Sequence, residues 1–400
     1  MLHTDRNIDI VVYGATGFTG KLVCQHLQKR YLDPSRERTE LAIGGRSQEK
    51  LDKVKSELGL PKDLRVFVAD SHDEKAYKRC AKKLNRSCLS SVPVFQYPLN
   101  STLDMITDRR ICMIIFPKVG PYALYGDKLV EACVANGTHY FDLTGETLWA
   151  SRQISKLETQ ARESKAMIVH SCGYDSVPER LECDACCQRA QKVAGENVKV
   201  GRVTSGAKAK GGVSGGTIAS MLNMYDEGVS QLRRAMSCYL LSPVKGHQKK
   251  DPSWVTRESG LVGGFFIMAP HNGAIVRRSW GLLEASSDPA VISERYGAKF
   301  SYDEYMTRKS GWFKHITTAH SVEDDVQVRV TMSGNSDPGY GWTAISIAEC
   351  AMTCVRAHNK LPALAQQGGF LTPATALGDA LLERLEATGT TTIEKQVITQ

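Results

Sequence analysis

The run Ile10-Val11-Val12-Tyr13 followed by Gly14-Ala15-Thr16-Gly17-Phe18-Thr19-Gly20 constrains this chain more than any other stretch. It reads as a strand, a glycine-rich turn and a helix start. Gly14 permits the tight turn, Gly17 removes a side chain that would block an approaching phosphate, and Gly20 lets the helix pack closely on its strand. The orphan N–H groups of the helix start then face an anion such as a dinucleotide pyrophosphate. The spacing is Gly-x-x-Gly-x-x-Gly, a variant of the usual dinucleotide fingerprint, and the helical pattern Leu22, Val23, His26, Leu27 that follows supplies the context the motif needs.

An acid about twenty residues after the glycines would select NAD(H) by accepting the ribose 2′-hydroxyl. The chain has Leu41-Ala42-Ile43-Gly44-Gly45-Arg46-Ser47 there instead. A guanidinium and a hydroxyl suit a 2′-phosphate, so NADP(H) is preferred over NAD(H). The plain alternative is a solvated loop with Ser47 capping the next helix. The expected cofactor contacts are therefore Gly14, Thr16, Gly17, Phe18, Thr19, Gly20, Gly45, Arg46 and Ser47. Asp70, after the third strand, and the Gly120-Pro121 turn, after the fourth, complete the set.

Strand-like and helix-like segments alternate over the first 170 residues, with strands expected at 9–13, 40–44, 64–69, 111–116, 138–142 and 166–171. Such alternation predicts an α/β fold built on a doubly wound parallel sheet of the Rossmann type. Residues 85–99 read as an inserted loop, with a helix starting at Ser101. The expected division is a dinucleotide-binding domain over 1–173, an α+β substrate or dimerisation domain over 174–339, helices over 340–387 that return to the first domain, and a polar tail over 388–400 that frays.

Composition excludes several classes. No apolar run is long enough to span a membrane, and the N-terminus lacks a secretory signal, so the mature chain is expected to begin near residue 1 and to be cytoplasmic. The twelve cysteines are scattered; Cys183-Asp184-Ala185-Cys186-Cys187 lacks partners for zinc, so no metal is expected. The net charge of +8 comes without a basic run or interleaved aromatics, which argues against nucleic acid.

Several phrases, in order, resemble the saccharopine dehydrogenase-like oxidoreductases, also called the trans-acting enoyl reductase family. They are the Gly14–Gly20 turn, Gly44-Gly45-Arg46-Ser47, Val119-Gly120-Pro121-Tyr122, Gly137-Thr138-His139-Tyr140-Phe141-Asp142-Leu143-Thr144-Gly145-Glu146, Gly173-Tyr174-Asp175-Ser176-Val177-Pro178, Ser214–Thr217, Asp337-Pro338-Gly339-Tyr340 and Leu371-Thr372-Pro373. The resemblance implies a Rossmann domain, an inserted second domain, and nicotinamide-dependent reduction or oxidation with links to lipid metabolism. Departures fall at 85–99, at Phe116-Pro117-Lys118 and at Glu179-Arg180-Leu181-Glu182.

Ligands of open α/β sheets sit beyond the carboxyl ends of the strands. Hydride transfer there needs a proton donor, for which Tyr122, Tyr140, His139 and Tyr174 are candidates. Tyr122 lies on the best-placed loop and is favoured; Tyr140 and His139 alternate on a strand, where a core role competes. Asp142 and Glu146 would orient substrate or ribose hydroxyls, or cap the next helix. The apolar stretch Gly260–Pro270 with Arg277, Arg278 and Trp280 reads either as a lipid-docking patch or as an interior element or dimer interface. The expected substrate is small or lipid-linked. Association with membranes or lipid droplets and homodimerisation are compatible with this reading. Two other functions stay open: a non-catalytic nucleotide-binding protein on lipid droplets, and saccharopine dehydrogenase proper, which would need Arg202, Arg277 or Arg278 to recognise carboxylates.

Overall fold

The computed structural model describes residues 8–32, 39–68, 112–115, 122–195, 198–209, 228–246, 256–258, 261–264, 266–307, 313–323 and 325–398. The first half of the chain runs β1 (Ile10–Tyr13), α1 (Phe18–Tyr31), β2 (Leu41–Gly45), α2 (Gln48–Leu58), β3 (Arg65–Val68), β4 (Cys112–Ile115), α3 (Tyr122–Tyr125), α4 (Asp127–Asn136), β5 (His139–Phe141), α5 (Thr147–Glu163) and β6 (Met167–Val169). Helix α6 (Val177–Ala194) crosses to the second half. There follow β7 (Val200–Ala209), α7 (Val229–Ala235), β8 (Thr256–Glu258), β9 (Leu261–Gly264), α8 (Ala269–Ala285), α9 (Pro289–Ile292), β10 (Ser301–Thr307), β11 (Phe313–Ser321) and β12 (Gln327–Gly334). A π-turn (Pro338–Trp342), α10 (Thr343–Arg356), α11 (Ala363–Gln367), β13 (Gly369–Leu371), α12 (Pro373–Ala387) and β14 (Thr391–Ile398) close the described chain.

The first sheet has the order β3-β2-β1-β4-β5-β6-β13, with every described pairing parallel. Its first six strands follow the doubly wound Rossmann order. Alternation along β1 explains the two covered faces. Ile10 and Val12 join the core beneath α1, α10 and α12, whereas Val11 and Tyr13 join Tyr140 and Ile168 beneath α4 and α5. The second sheet has the order β14-β12-β11-β7-β10-β9-β8 and mixes parallel and antiparallel pairs. Helix α6 lies on it, and its three cysteines Cys183, Cys186 and Cys187 are small buried residues of that contact.

Two segments differ from the sequence expectation. The tail does not fray: Thr391–Ile398 pairs with all of β12 as an edge strand, burying Thr391 and tucking Ile393 and Val397 against the core. Local polarity hid a strand whose stability comes from its ladder. The return also adds β13 to the first sheet beside β6, too short to show a periodicity. Of the two readings of the stretch that includes Arg277, Arg278 and Trp280, the interior one agrees with these three side chains, which are buried in α8. Arg277 donates to the Tyr302 carbonyl at 2.6 Å and Arg278 to the Leu241 carbonyl at 2.6 Å, while the Trp280 indole N–H donates to the Gly297 carbonyl at 2.9 Å. Among the described residues no helix is long and apolar enough to cross a membrane, and none of the described cysteines forms a disulfide.

Candidate functional site

The glycine turn is built as its sequence dictates. Gly14 has φ 89°, a left-handed conformation that favours glycine, and its N–H donates to the Gly44 carbonyl at 2.9 Å. A Cβ on Gly20 would stand 2.3 Å from the Gly14 oxygen, so only glycine lets α1 descend this close to β1. At Gly17 an added Cβ would meet only the Gly14 oxygen, at 3.3 Å. No side chain caps α1 and no acid lies in its first turn, which leaves the helix start suited to a pyrophosphate. The turn therefore fits a dinucleotide.

Around it, Arg46 is exposed at the carboxyl end of β2, next to the strand that carries the turn. Ser47 caps α2, accepting from the Lys50 N–H at 3.4 Å, as the plain alternative anticipated, while Gly45 is buried against Leu51. Phe18 is 67% exposed and meets Tyr340 of the π-turn edge-on at 5.0 Å, so the C-terminal return flanks the cofactor turn. Thr16 and Thr19 are half-buried beside it. Asp70, Gly120, Pro121, the 85–99 segment, Ser101 and the Ser214–Thr217 turn lie outside the described residues.

The loops after β5 and β6 form one hydrogen-bonded unit. Asp142 is fully buried: Oδ1 accepts from the N–H groups of Thr144 at 3.0 Å and Ser171 at 3.1 Å, and Oδ2 lies 2.7 Å from His170 Nδ1. Both oxygens are committed to stapling the two loops together. Asp142 thereby holds the two loops in place. Ser171, at φ 61°, occupies a strained backbone region, held by that staple and by its hydroxyl, which donates to the Thr144 carbonyl at 2.6 Å. The same hydroxyl then accepts from His271 Nε2 at 3.1 Å, leaving His271 Nδ1 to accept from the Thr147 hydroxyl at 2.8 Å. Burial lowers His271 to about 4, consistent with a neutral ring in this network.

Tyr122 is nearly buried, and its hydroxyl accepts from the Leu143 N–H at 3.1 Å. Burial, with the nearby Asp142 charge second, pushes the phenol well above its ordinary range. Glu146 caps α3, accepting from the N–H groups of Tyr122 at 2.7 Å and Ala123 at 2.9 Å, instead of the helix it precedes. Tyr140 is sealed between β5 and the helices α4 and α5, with its ring against His170, the core position its strand alternation left open. His139 sits at the amino end of β5, away from the ligand edge, where Nδ1 accepts from the Met167 N–H at 3.0 Å. Tyr174 follows β6 on the ligand side, with its hydroxyl 2.8 Å from His315 Nε2 and its ring among Phe313, His315 and Trp342.

Sequence reasoning missed His271, Ser171, His315 and Glu304, which converge only through tertiary contacts. No group of side chains able to hold a metal occurs among the described residues.

No protein-family model matches the chain. A Mycobacterium tuberculosis protein named as a trans-acting enoyl reductase is 31% identical, over 97% of this chain and 98% of that protein. The chain belongs to the trans-acting enoyl reductase family. Another relative bearing the name, from Mycobacterium bovis, is 28% identical over the same shares of the two chains. Among solved structures, saccharopine dehydrogenase from Saccharomyces cerevisiae aligns over 98% of this chain and 100% of that one, with 10% identity and a TM-score of 0.47. The trans-acting enoyl reductase assignment rests on the sequence relatives.

Proposed function

We propose that this protein is an NADP(H)-dependent reductase of the carbon–carbon double bond in a lipid-linked or otherwise apolar α,β-unsaturated carbonyl. The observation that carries the reading is the uncapped glycine turn with Arg46 exposed at the end of the neighbouring strand. Relatives named trans-acting enoyl reductase support the reaction class. Phe18 and Leu124, 67% and 60% exposed on the segments after β1 and β4, support an apolar substrate.

When bound, the nicotinamide supplies the hydride. The chain's own residues do the rest. Gly14, Gly17 and the α1 start hold the pyrophosphate, and Arg46 pairs with the 2′-phosphate. Asp142, Ser171 and His271 fix the two loops that would frame the reacting atoms, with Tyr122 and Glu146 holding α3 against them.

Fluorescence titration with NADPH and NADH tests the cofactor. Tight NADPH binding with much weaker NADH is expected. Arg46→Ala should weaken NADPH by about 10- to 100-fold, the equivalent of about 1.5–3 kcal/mol for a hydrogen-bonded charge, while leaving NADH nearly unchanged. Equal losses for both cofactors would remove Arg46 from the 2′-phosphate site.

A further inference from the structure

Helix α6 buries two acids, Glu179 and Glu182, against the second sheet. Glu182 is fully satisfied, accepting from the Thr317 hydroxyl at 2.6 Å and the Met332 N–H at 2.6 Å. Glu179 is not. Neither of its oxygens has a hydrogen-bond partner, although His315 Nδ1, also unpartnered, stands 3.3 Å from Oε1. Glu304 of β10 lies close enough for its charge to raise Glu179 further, and its own carboxyl accepts from the Asn272 amide at 3.1 Å, itself fixed by Ser176 at 3.2 Å. On the far side of the imidazole, Nε2 is 2.8 Å from the Tyr174 hydroxyl. The line of groups thus runs from the buried face of the second sheet to the loop after β6, at the ligand edge of the first.

Every element packed around it contributes. The β6–α6 loop brings Tyr174 and the exposed Asp175, α6 brings Glu179 and Glu182, and α8 brings Asn272. From the sheet come Ser205 of β7, Tyr302 and Glu304 of β10, and His315 and Thr317 of β11. Burial raises Glu304 to about 8 and Glu179 well above the carboxylate range, and it lowers His315 to about 3. Burial therefore favours the protonated form of these acids and the neutral form of the imidazole. A neutral imidazole carries one N–H. If a Glu179 carboxyl proton points to Nδ1, then Nε2–H donates to the Tyr174 oxygen, and the Tyr174 O–H is left for a ligand.

We propose that Tyr174, His315 and the Glu179–Glu304 carboxyl pair form a proton relay in which Tyr174 protonates the substrate carbon. The proposal rests on the enoyl reductase reading. A bound reduced nicotinamide would supply the hydride to the β-carbon, and the chain's own part would be to protonate the enolate left when the C=C π bond opens. The Tyr174 O–H bond then breaks as the α-carbon gains its C–H bond. The Nε2 proton moves to the Tyr174 oxygen, the Glu179 proton moves to Nδ1, and the carboxyl pair is refilled from solvent past Asp175.

Two measurements test it. In the cofactor-free protein labelled with ¹⁵N-histidine, with His315→Gln used for assignment, His315 should be neutral at pH 7 and protonated on Nε2. A proton on Nδ1 would reverse the relay and overturn the proposal. With NADPH and crotonyl-coenzyme A, Tyr174→Phe should lower kcat by about 10²- to 10⁴-fold at unchanged NADPH affinity. An unchanged kcat overturns Tyr174 as donor. If the wild-type protein fails to reduce the crotonyl group, the enoyl reductase reading fails, and the imidazole tautomer still decides whether the relay is built as described.

Discussion

Gly20→Ala should weaken NADPH binding by about 30- to 100-fold and lower the stability of the cofactor-free protein at the same time. The new Cβ would lie 2.3 Å from the Gly14 oxygen and 3.0 Å from the Ala15 Cα, all backbone that no rotamer change can move. Helix α1 must lift from β1. Overpacking of this kind costs about 1–3 kcal/mol, and the displaced helix start no longer meets the pyrophosphate. Gly17→Ala is the informative partner. Its φ of −78° suits any residue and its Cβ would approach the Gly14 oxygen only to 3.3 Å, so the fold should tolerate it. The methyl group would nevertheless occupy the place of the phosphates. Thermal denaturation with and without NADPH separates the two effects: Gly17→Ala should keep the apo melting temperature yet lose the NADPH-induced rise, while Gly20→Ala should lose both. Wild-type NADPH affinity in Gly17→Ala would show that the dinucleotide does not lie over this turn.

Glu349→Ala should be the most destabilising substitution away from the site, by about 3 kcal/mol. The carboxylate is completely buried on α10, where it accepts from the Tyr31 hydroxyl at 2.6 Å and is ion-paired with Arg384 at 3.0 Å, with His26 Nε2 at 2.7 Å and Arg30 at 3.6 Å. It ties α1, α10 and α12 into one layer over the first sheet. Losing one partner of a buried ionic cluster costs about 3–5 kcal/mol, and the low end applies because the arginines keep 20–30% of their side-chain exposure. Burial alone would raise this acid, but His26, Arg384 and Tyr31 together hold it below the usual carboxylate range. A depressed folded-state pKa stabilises the protein above the unfolded value and is lost as pH falls through the folded value. Urea denaturation across the acid range should therefore show a falling stability below about pH 4 that is much shallower in Glu349→Gln. An identical acid limb in that variant would assign the loss to other carboxylates.

The parallel sheet was legible because its strands are short apolar runs between helical patterns. Ile10–Tyr13 and Met167–Val169 fall within the strands expected there, and Leu41–Gly45 runs one residue past its own. The glycine turn was legible for a related reason: the backbone at Gly14 and the contact at Gly20 are enforced within seven residues. The proton-bearing groups were not. Tyr140 and His139 carry the right side chains, but strand direction and alternation turned one into the core and placed the other at the wrong end of β5. Glu179 showed only as part of the departure from the family pattern at Glu179-Arg180-Leu181-Glu182. Its partners Glu304 and His315 come from strands more than a hundred residues away, and nothing in their local sequence marks them.

What the sequence determined alone is therefore local: which segments are strands or helices, and where the backbone makes its glycine turn, since both follow from periodicity and sterics over a few residues. The tertiary structure decided which polar groups lose water and which keep a partner. It decided between the two readings of Arg277 and Arg278 by making them buried donors to carbonyls, made a strand of the polar tail, and set His315 between Tyr174 and Glu179, because burial and hydrogen bonding are properties of the packed chain.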